Sequence, residues 1–157
     1  WDAKTPENGA RLVARAWRDP DFKKRLVDDF YSAAAELDID VAGPMIVAVE
    51  NTDTVHNVFV CTLCSCYPRA VLGMPPEWYK SKEYRSRVVV NPRAVLQEFG
   101  TELPDSVDVR VIDNTAESRY FIIPKRPAGT EDMSEAELAA LVTRDSIIGV
   151  TEATLPG

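Results

Sequence analysis

All three cysteines of the 157-residue chain fall in one short run, Cys61-Thr62-Leu63-Cys64-Ser65-Cys66. Thiols scattered through a core have no reason to gather this way, so the run asks for a local chemical explanation. A disulfide and a structural zinc are two candidates. Zinc calls for four tetrahedral ligands, usually from two separated Cys-x-x-Cys knuckles, whereas this chain has one knuckle and a single histidine, His56. The Cys64-Ser65-Cys66 spacing opens a third route. A metal held by both thiolates lies close to the backbone nitrogens of Ser65 and Cys66. If those amides deprotonate, the nitrogen and sulfur of Cys66 close a five-membered chelate ring, the nitrogens of Ser65 and Cys66 close another, and Cys61 reaches over as an axial thiolate. Such a set uses five protein ligands and leaves the sixth position open for water or a substrate nitrogen. It needs a strongly polarising ion, Co(III) or Fe(III), which Zn(II) is not.

The surrounding sequence must place that run. Helical periodicity predicts two pieces between Asn8 and Leu37, with Asp19 capping and Pro20 opening the second. After Gly43-Pro44 the apolar run Met45–Val49 reads as a buried strand, Asn51-Thr52-Asp53 as a turn, and Val58–Val60 as a second strand that leads directly into the cysteines. The cysteines therefore sit in a loop at a strand end, where backbone groups are free to face a ligand. A helix from Pro75-Pro76 through Tyr84 follows, then one opened by Asn91-Pro92 and closed by Gly100. Val107–Ile112 and Tyr120–Ile123, joined by the polar Asp113–Glu117, predict an antiparallel strand pair. Ser134 with Glu137 forms a capping box before Leu138. Helices and strands alternate in mixed order, an α/β or α+β class in layers.

Hydrophobic residues make up 45% of the chain, enough to build one core as one domain. A helical part, residues 1–40, precedes a mixed α/β part, 41–157. The net charge of −7, without a basic stripe, argues against a nucleic-acid partner. No apolar run approaches the roughly 18–20 residues of a membrane span, and the chain opens with no charged-then-apolar leader pattern. The expectation is a cytoplasmic protein with no membrane partner.

Val60-Cys-Thr-Leu-Cys-Ser-Cys-Tyr-Pro68 resembles the metal claw of nitrile hydratase alpha subunits. The resemblance extends through Asn8–Arg11 with Trp17, Val49–Thr52 with Val55–Asn57, Leu72-Gly73 with Pro75-Pro76 and Trp78–Ser81, Arg126–Thr130, and Leu141–Ser146. It implies a layered α/β/β/α domain behind an N-terminal helical segment. It also implies one Co(III) bound by Cys61, Cys64, Ser65 and Cys66, with Cys64 oxidised to sulfinate and Cys66 to sulfenate. Thr62 resembles the cobalt type, where serine is usual with iron. The implied reaction hydrates a small nitrile to its amide, with Cys64, Ser65 and Cys66 as the catalytic residues. The implied partners are a beta-type subunit, in one or two chains, whose arginines hold the oxidised sulfurs, and a cobalt-insertion partner.

Two positions depart from the family pattern. Arg69 stands where tryptophan is common, and an arginine is expected there in the related gamma subunit of thiocyanate hydrolase, where it could attract an anion. Ala42 stands where several members carry a pocket-lining glutamine. Arg69 and Tyr67 are the candidate pocket residues, Tyr67 with an equal claim to packing. His56, Trp78 and Tyr79 read as structural, and Arg144-Asp145 as an ion pair. The alternatives are a thiocyanate hydrolase gamma-type subunit, a structural or redox zinc module, and a cobalt-carrying form that awaits exchange into its partner.

Overall fold

The computed structural model describes residues 6–156, so the first five positions of the expected helical part lie outside the described residues, as does Gly157. That part forms three helices where periodicity predicts two: α1 Glu7–Arg18, α2 Pro20–Asp28 and α3 Phe30–Glu36. The first joint is the expected one, with the Asp19 carboxylate accepting from the amides of Asp21 and Phe22 at 3.0 and 3.1 Å. The second is Asp29, whose carboxylate accepts from the amide and hydroxyl of Ser32 at 3.3 and 2.7 Å. A short acceptor competes with the helix before it and caps the helix after it. α1 buries Leu12, Val13, Ala16 and Trp17, and the Trp17 indole donates to the Pro124 carbonyl at 2.7 Å.

β1 Met45–Glu50 and β2 Val55–Val60 follow, so the second strand starts at Val55 rather than Val58. The Thr52 hydroxyl closes the turn between them, accepting from the amides of Thr54 and Val55 at 3.3 and 3.1 Å. Beyond the cysteine loop come α4 Arg69–Leu72, α5 Glu77–Lys80, α6 Lys82–Val90 and α7 Pro92–Glu98. The single helix expected from Pro75 through Tyr84 breaks at Ser81. Its hydroxyl accepts from the Tyr84 amide at 3.1 Å and donates to the Trp78 carbonyl at 2.7 Å, ending α5 and capping α6. β3 Asp108–Asp113, β4 Ser118–Ile123, α8 Glu135–Ala139 and α9 Arg144–Ile148 complete the chain, and the Ser134–Glu137 capping box is present.

The antiparallel pairing expected of the last two strands is not formed. β4 pairs parallel with β1, Ala48 opposite Phe121, and β3 pairs parallel with β2, Val58 opposite Val111. The connection Asp113–Glu117 carries none of the Asn-Gly or Asp-Gly signals that fold a tight hairpin. Instead Asn114 hands the chain from one sheet to the other: its amide donates to the Val60 carbonyl at 2.6 Å and its side-chain oxygen accepts from the Tyr120 amide at 2.7 Å. The class is therefore mixed α/β, built from helices and two small parallel sheets. Val58, Phe59 and Val60 are fully buried, which fixes the strand end from which the cysteines emerge. No helix among the described residues is long and apolar enough to cross a membrane.

His56 is the structural residue its context predicts. Its Nε2 donates to the Gly149 carbonyl at 2.6 Å, and its Nδ1 faces the Asn51 side-chain amide at 3.4 Å. Burial holds its pKa below the ordinary 6.5, so the folded protein carries it neutral. The unfolded chain then binds the extra proton first, and this contribution to stability is present above the unfolded value and lost as pH falls through the folded one. Urea unfolding between pH 7.5 and pH 5 is expected to show stability falling with pH, and His56→Gln to flatten that slope. An unchanged slope in the variant contradicts the assignment.

Candidate metal centre

β2 delivers Cys61 into the core at 1% exposure, and the chain then turns outward so that Leu63 is 84% exposed before Cys66 and Tyr67 return to the interior. This out-and-back path brings the three sulfurs together. Cys61 Sγ lies 3.5 Å from Cys64 Sγ, which lies 3.4 Å from Cys66 Sγ, and all three fall within 4.8 Å of one another. No two of them are bonded as a disulfide. Two sulfurs on one ion stand about 3.3 Å apart at a right angle and about 3.8 Å apart at a tetrahedral angle, for bonds of about 2.3 Å. The observed spacings suit neighbouring ligands of a single ion.

The main chain completes the arrangement. The amides of Ser65 and Cys66 adjoin the Cys64 sulfur, and neither donates to a carbonyl among the described residues. Cys64 also donates its own amide to Cys61 Sγ at 3.3 Å. Hydrogen bonds from the Cys66 and Cys61 thiols, then from the Ser65 amide, lower the Cys64 thiol to about 7. Burial first, then the neighbouring sulfurs, push Cys66 up to about 12. The trio thus accepts one negative charge readily and resists a second, a conflict that a cation among the sulfurs removes. Three clustered thiols fit a thiolate-binding transition-metal ion. They do not fit tetrahedral zinc: the cluster has no fourth His, Cys, Asp or Glu among the described residues, and the His56 ring is committed to Gly149.

Both ends of the loop are fixed by side chains. Arg85 donates to the carbonyls of Cys61 and Thr62 at 3.2 and 3.0 Å, and the Asp113 carboxylate accepts from the amide and hydroxyl of Thr62 at 2.9 and 2.7 Å. At the exit the Tyr79 hydroxyl donates to the Cys66 carbonyl at 2.7 Å, and Arg119 donates to the Tyr67 carbonyl at 2.8 Å. Trp78 and Tyr79 pack as expected, Trp78 lying 4.9 Å from Tyr84 and 4.7 Å from Phe99 between ring centroids. The hydroxyl of Tyr79 is a contact that a packing role alone does not foretell.

Beside the sulfurs lies a cavity of about 380 Å³, lined by Cys64, Ser65, Cys66, Tyr67, Arg69 and Arg119, and by Ala42. The Tyr67 ring packs edge-on to Tyr79 at 5.1 Å and to Phe59 at 5.8 Å, and its buried hydroxyl has no partner among the described residues. Arg69 is exposed on the rim and makes no ion pair among the described residues. Arg144 and Asp145 form their ion pair at 3.1 Å. Sequence reasoning missed Arg119 and Arg85; an arginine opening an otherwise apolar strand, as in Ser118–Ile123, was the available signal for the first.

Three clustered thiols and an adjoining cavity define a thiolate metal centre with room for a small ligand. The chain belongs to the nitrile hydratase alpha-chain family, whose model matches residues 1–151. It is 55% identical over 152 residues to the alpha subunit of a low-molecular-weight cobalt-containing nitrile hydratase from Rhodococcus rhodochrous, covering 96% of this chain and 73% of that one. It is 44% identical to the gamma subunit of thiocyanate hydrolase from Thiobacillus thioparus, covering 92% of this chain and 65% of the relative. Among solved structures, a double mutant of the iron-type nitrile hydratase from Comamonas testosteroni Ni1 superposes with a TM-score of 0.91 at 48% identity, covering 96% of this chain and 74% of that one.

Proposed function

We propose that this chain is the metal-binding subunit of a nitrile hydratase of the cobalt type, with Cys61, Cys64 and Cys66 bound through sulfur and Ser65 and Cys66 through backbone nitrogen. The observation that carries the reading is the convergence of three sulfurs on one point at the wall of a small-molecule cavity, beside two backbone amides that donate to no carbonyl among the described residues. Cobalt over iron follows from Thr62 and from the cobalt-containing relative. Bound there as Co(III), the ion would supply a Lewis acid able to polarise a small ligand in the cavity. Cys64 and Cys66, oxidised to sulfinate and sulfenate, offer oxygen atoms to the cavity, and the Ser65 hydroxyl orients them. Tyr67 shapes the inner wall, and Arg69 and Ala42 shape the approach. The reading includes a single domain over 1–157, an α/β/β/α layering, a cytoplasmic location, a beta-type subunit that closes the cavity, and a cobalt-insertion partner.

A second reading, a thiocyanate hydrolase gamma-type subunit, is favoured by one observation: Arg69 and Arg119 line the cavity and no carboxylate does. Two cations with no counter-charge attract an anion. The chain produced with its beta-type partner in cobalt medium, and assayed on nitriles and on thiocyanate, separates the two. Amide formation outpacing thiocyanate turnover is expected. Faster thiocyanate turnover overturns the leading reading.

A further inference from the structure

The cysteine loop is held at both ends and released at its tip. The carbonyls of Cys61 and Thr62 are bound by Arg85 at the entry, and those of Cys66 and Tyr67 are bound at the exit. The carbonyls of Leu63, Cys64 and Ser65 have no partner among the described residues. The two ends differ in kind, because the exit contact runs through a buried amide that no packing argument requires. Asn114 is 1% exposed, and both polar atoms of its side chain and its backbone N–H are used. Its side-chain nitrogen donates to the Cys66 carbonyl at 3.3 Å and to the Tyr79 hydroxyl at 3.1 Å, while that hydroxyl donates to the same carbonyl at 2.7 Å. Its oxygen and its backbone amide hold Tyr120 of β4 and Val60 of β2.

One residue thus joins the ends of both parallel sheets to the last cysteine of the loop. Fixing the Cys66 carbonyl fixes the peptide plane that leaves Cys66 and the position of its Cα, which leaves the nitrogen and Cβ of that residue one shared rotation, about the Cα–C bond. With the entry of the loop held by Arg85, that rotation is narrowed, and with it the orientation of the Cys66 nitrogen and sulfur towards Cys64. Groups that orient a ligand from behind tune a metal as the ligand itself does, and their loss typically lowers metal affinity by roughly 10–100-fold. We propose that Asn114, acting with Tyr79, is a positioning residue that sets the bite of Cys66 on the metal. The proposal rests on the reading of the loop as a cobalt site.

The test uses the full chain with Tyr79→Phe, Asn114→Ala and both together. Tyr79→Phe removes one hydroxyl and leaves the aromatic packing in place, so it stays informative if the deeper Asn114 change impairs folding. Cobalt retention against a chelator, the position of the sulfur-to-cobalt absorption band, the melting temperature, and amide exchange of residues 61–67 in the metal-free chain are measured. Expected are cobalt loss faster by roughly tenfold or more, a shifted band, and a double variant little worse than Asn114→Ala, because the two groups share one network. Parent-like band and retention overturn the proposal, as does faster loss that only follows a lower melting temperature with an unmoved band. If the parent chain holds no cobalt, the functional reading fails by itself. Amide exchange then decides: faster exchange across 61–67 in the variants sustains the positioning role, and unchanged exchange overturns it.

Discussion

Cys66→Ala is expected to leave the chain folded and to reduce its cobalt content and its nitrile hydration to background. Cys66 is only half-buried at the end of a surface loop, so trimming its sulfur costs the fold little, on the order of 1 kcal/mol. The consequence at the centre is large. In the proposed centre the residue contributes both a sulfur and a backbone nitrogen, and the chelate ring they would close is lost with the sulfur. The remaining sulfurs, Cys61 and Cys64 at 3.5 Å, cannot enclose an ion alone. Ser65→Ala is the informative companion, since its proposed contribution to binding is a backbone nitrogen that alanine keeps. It should retain cobalt while losing the hydroxyl beside the oxidised sulfurs. Metal analysis with far-ultraviolet circular dichroism checks both. Full cobalt in Cys66→Ala contradicts the assignment.

The second large effect lies away from the cysteines. Gly149 ends α9 at φ +98°, a region that side chains rarely adopt, and a Cβ there would collide with the Asn57 carbonyl oxygen and approach Val58 Cα to 2.7 Å. Both obstacles are backbone of β2, which cannot step aside without moving the strand that ends at Cys61. Gly149→Ala combines a backbone penalty with a clash and is expected to cost about 4 kcal/mol. For a chain of this size that is a fall of roughly 8–16 °C in melting temperature. Because His56 donates to the Gly149 carbonyl from the same strand, the variant should also weaken the His56 contribution to pH dependence. A melting temperature within about 2 °C of the parent contradicts the packing argument.

What was legible in the sequence follows from how local each feature is. The proposed metal ligands occupy one contiguous run, so their types and spacing announce the site even though distant side chains hold its shape. Caps such as Asp19 and Ser134 are likewise local, whereas Asp29 and Ser81 were read through because apolar spacing continues across them. Strand pairing is not local. Alternation along Val107–Ile112 tells which residues share a face but not which strand lies alongside, and the switch at Asn114 turns an expected hairpin into two parallel pairs. The side chains that clamp the loop come from 13 to 52 residues away from the groups they hold, between Tyr79 and Arg119, and no pattern near Cys61–Cys66 announces them.

X-ray absorption at the metal edge of the cobalt-grown chain, paired with mass spectrometry of the peptide spanning Cys61–Cys66, measures the centre itself. The account predicts cobalt with mixed sulfur and nitrogen neighbours, five of them from the protein, and oxygen added to Cys64 and Cys66. Four-coordinate zinc with unmodified thiols would contradict it.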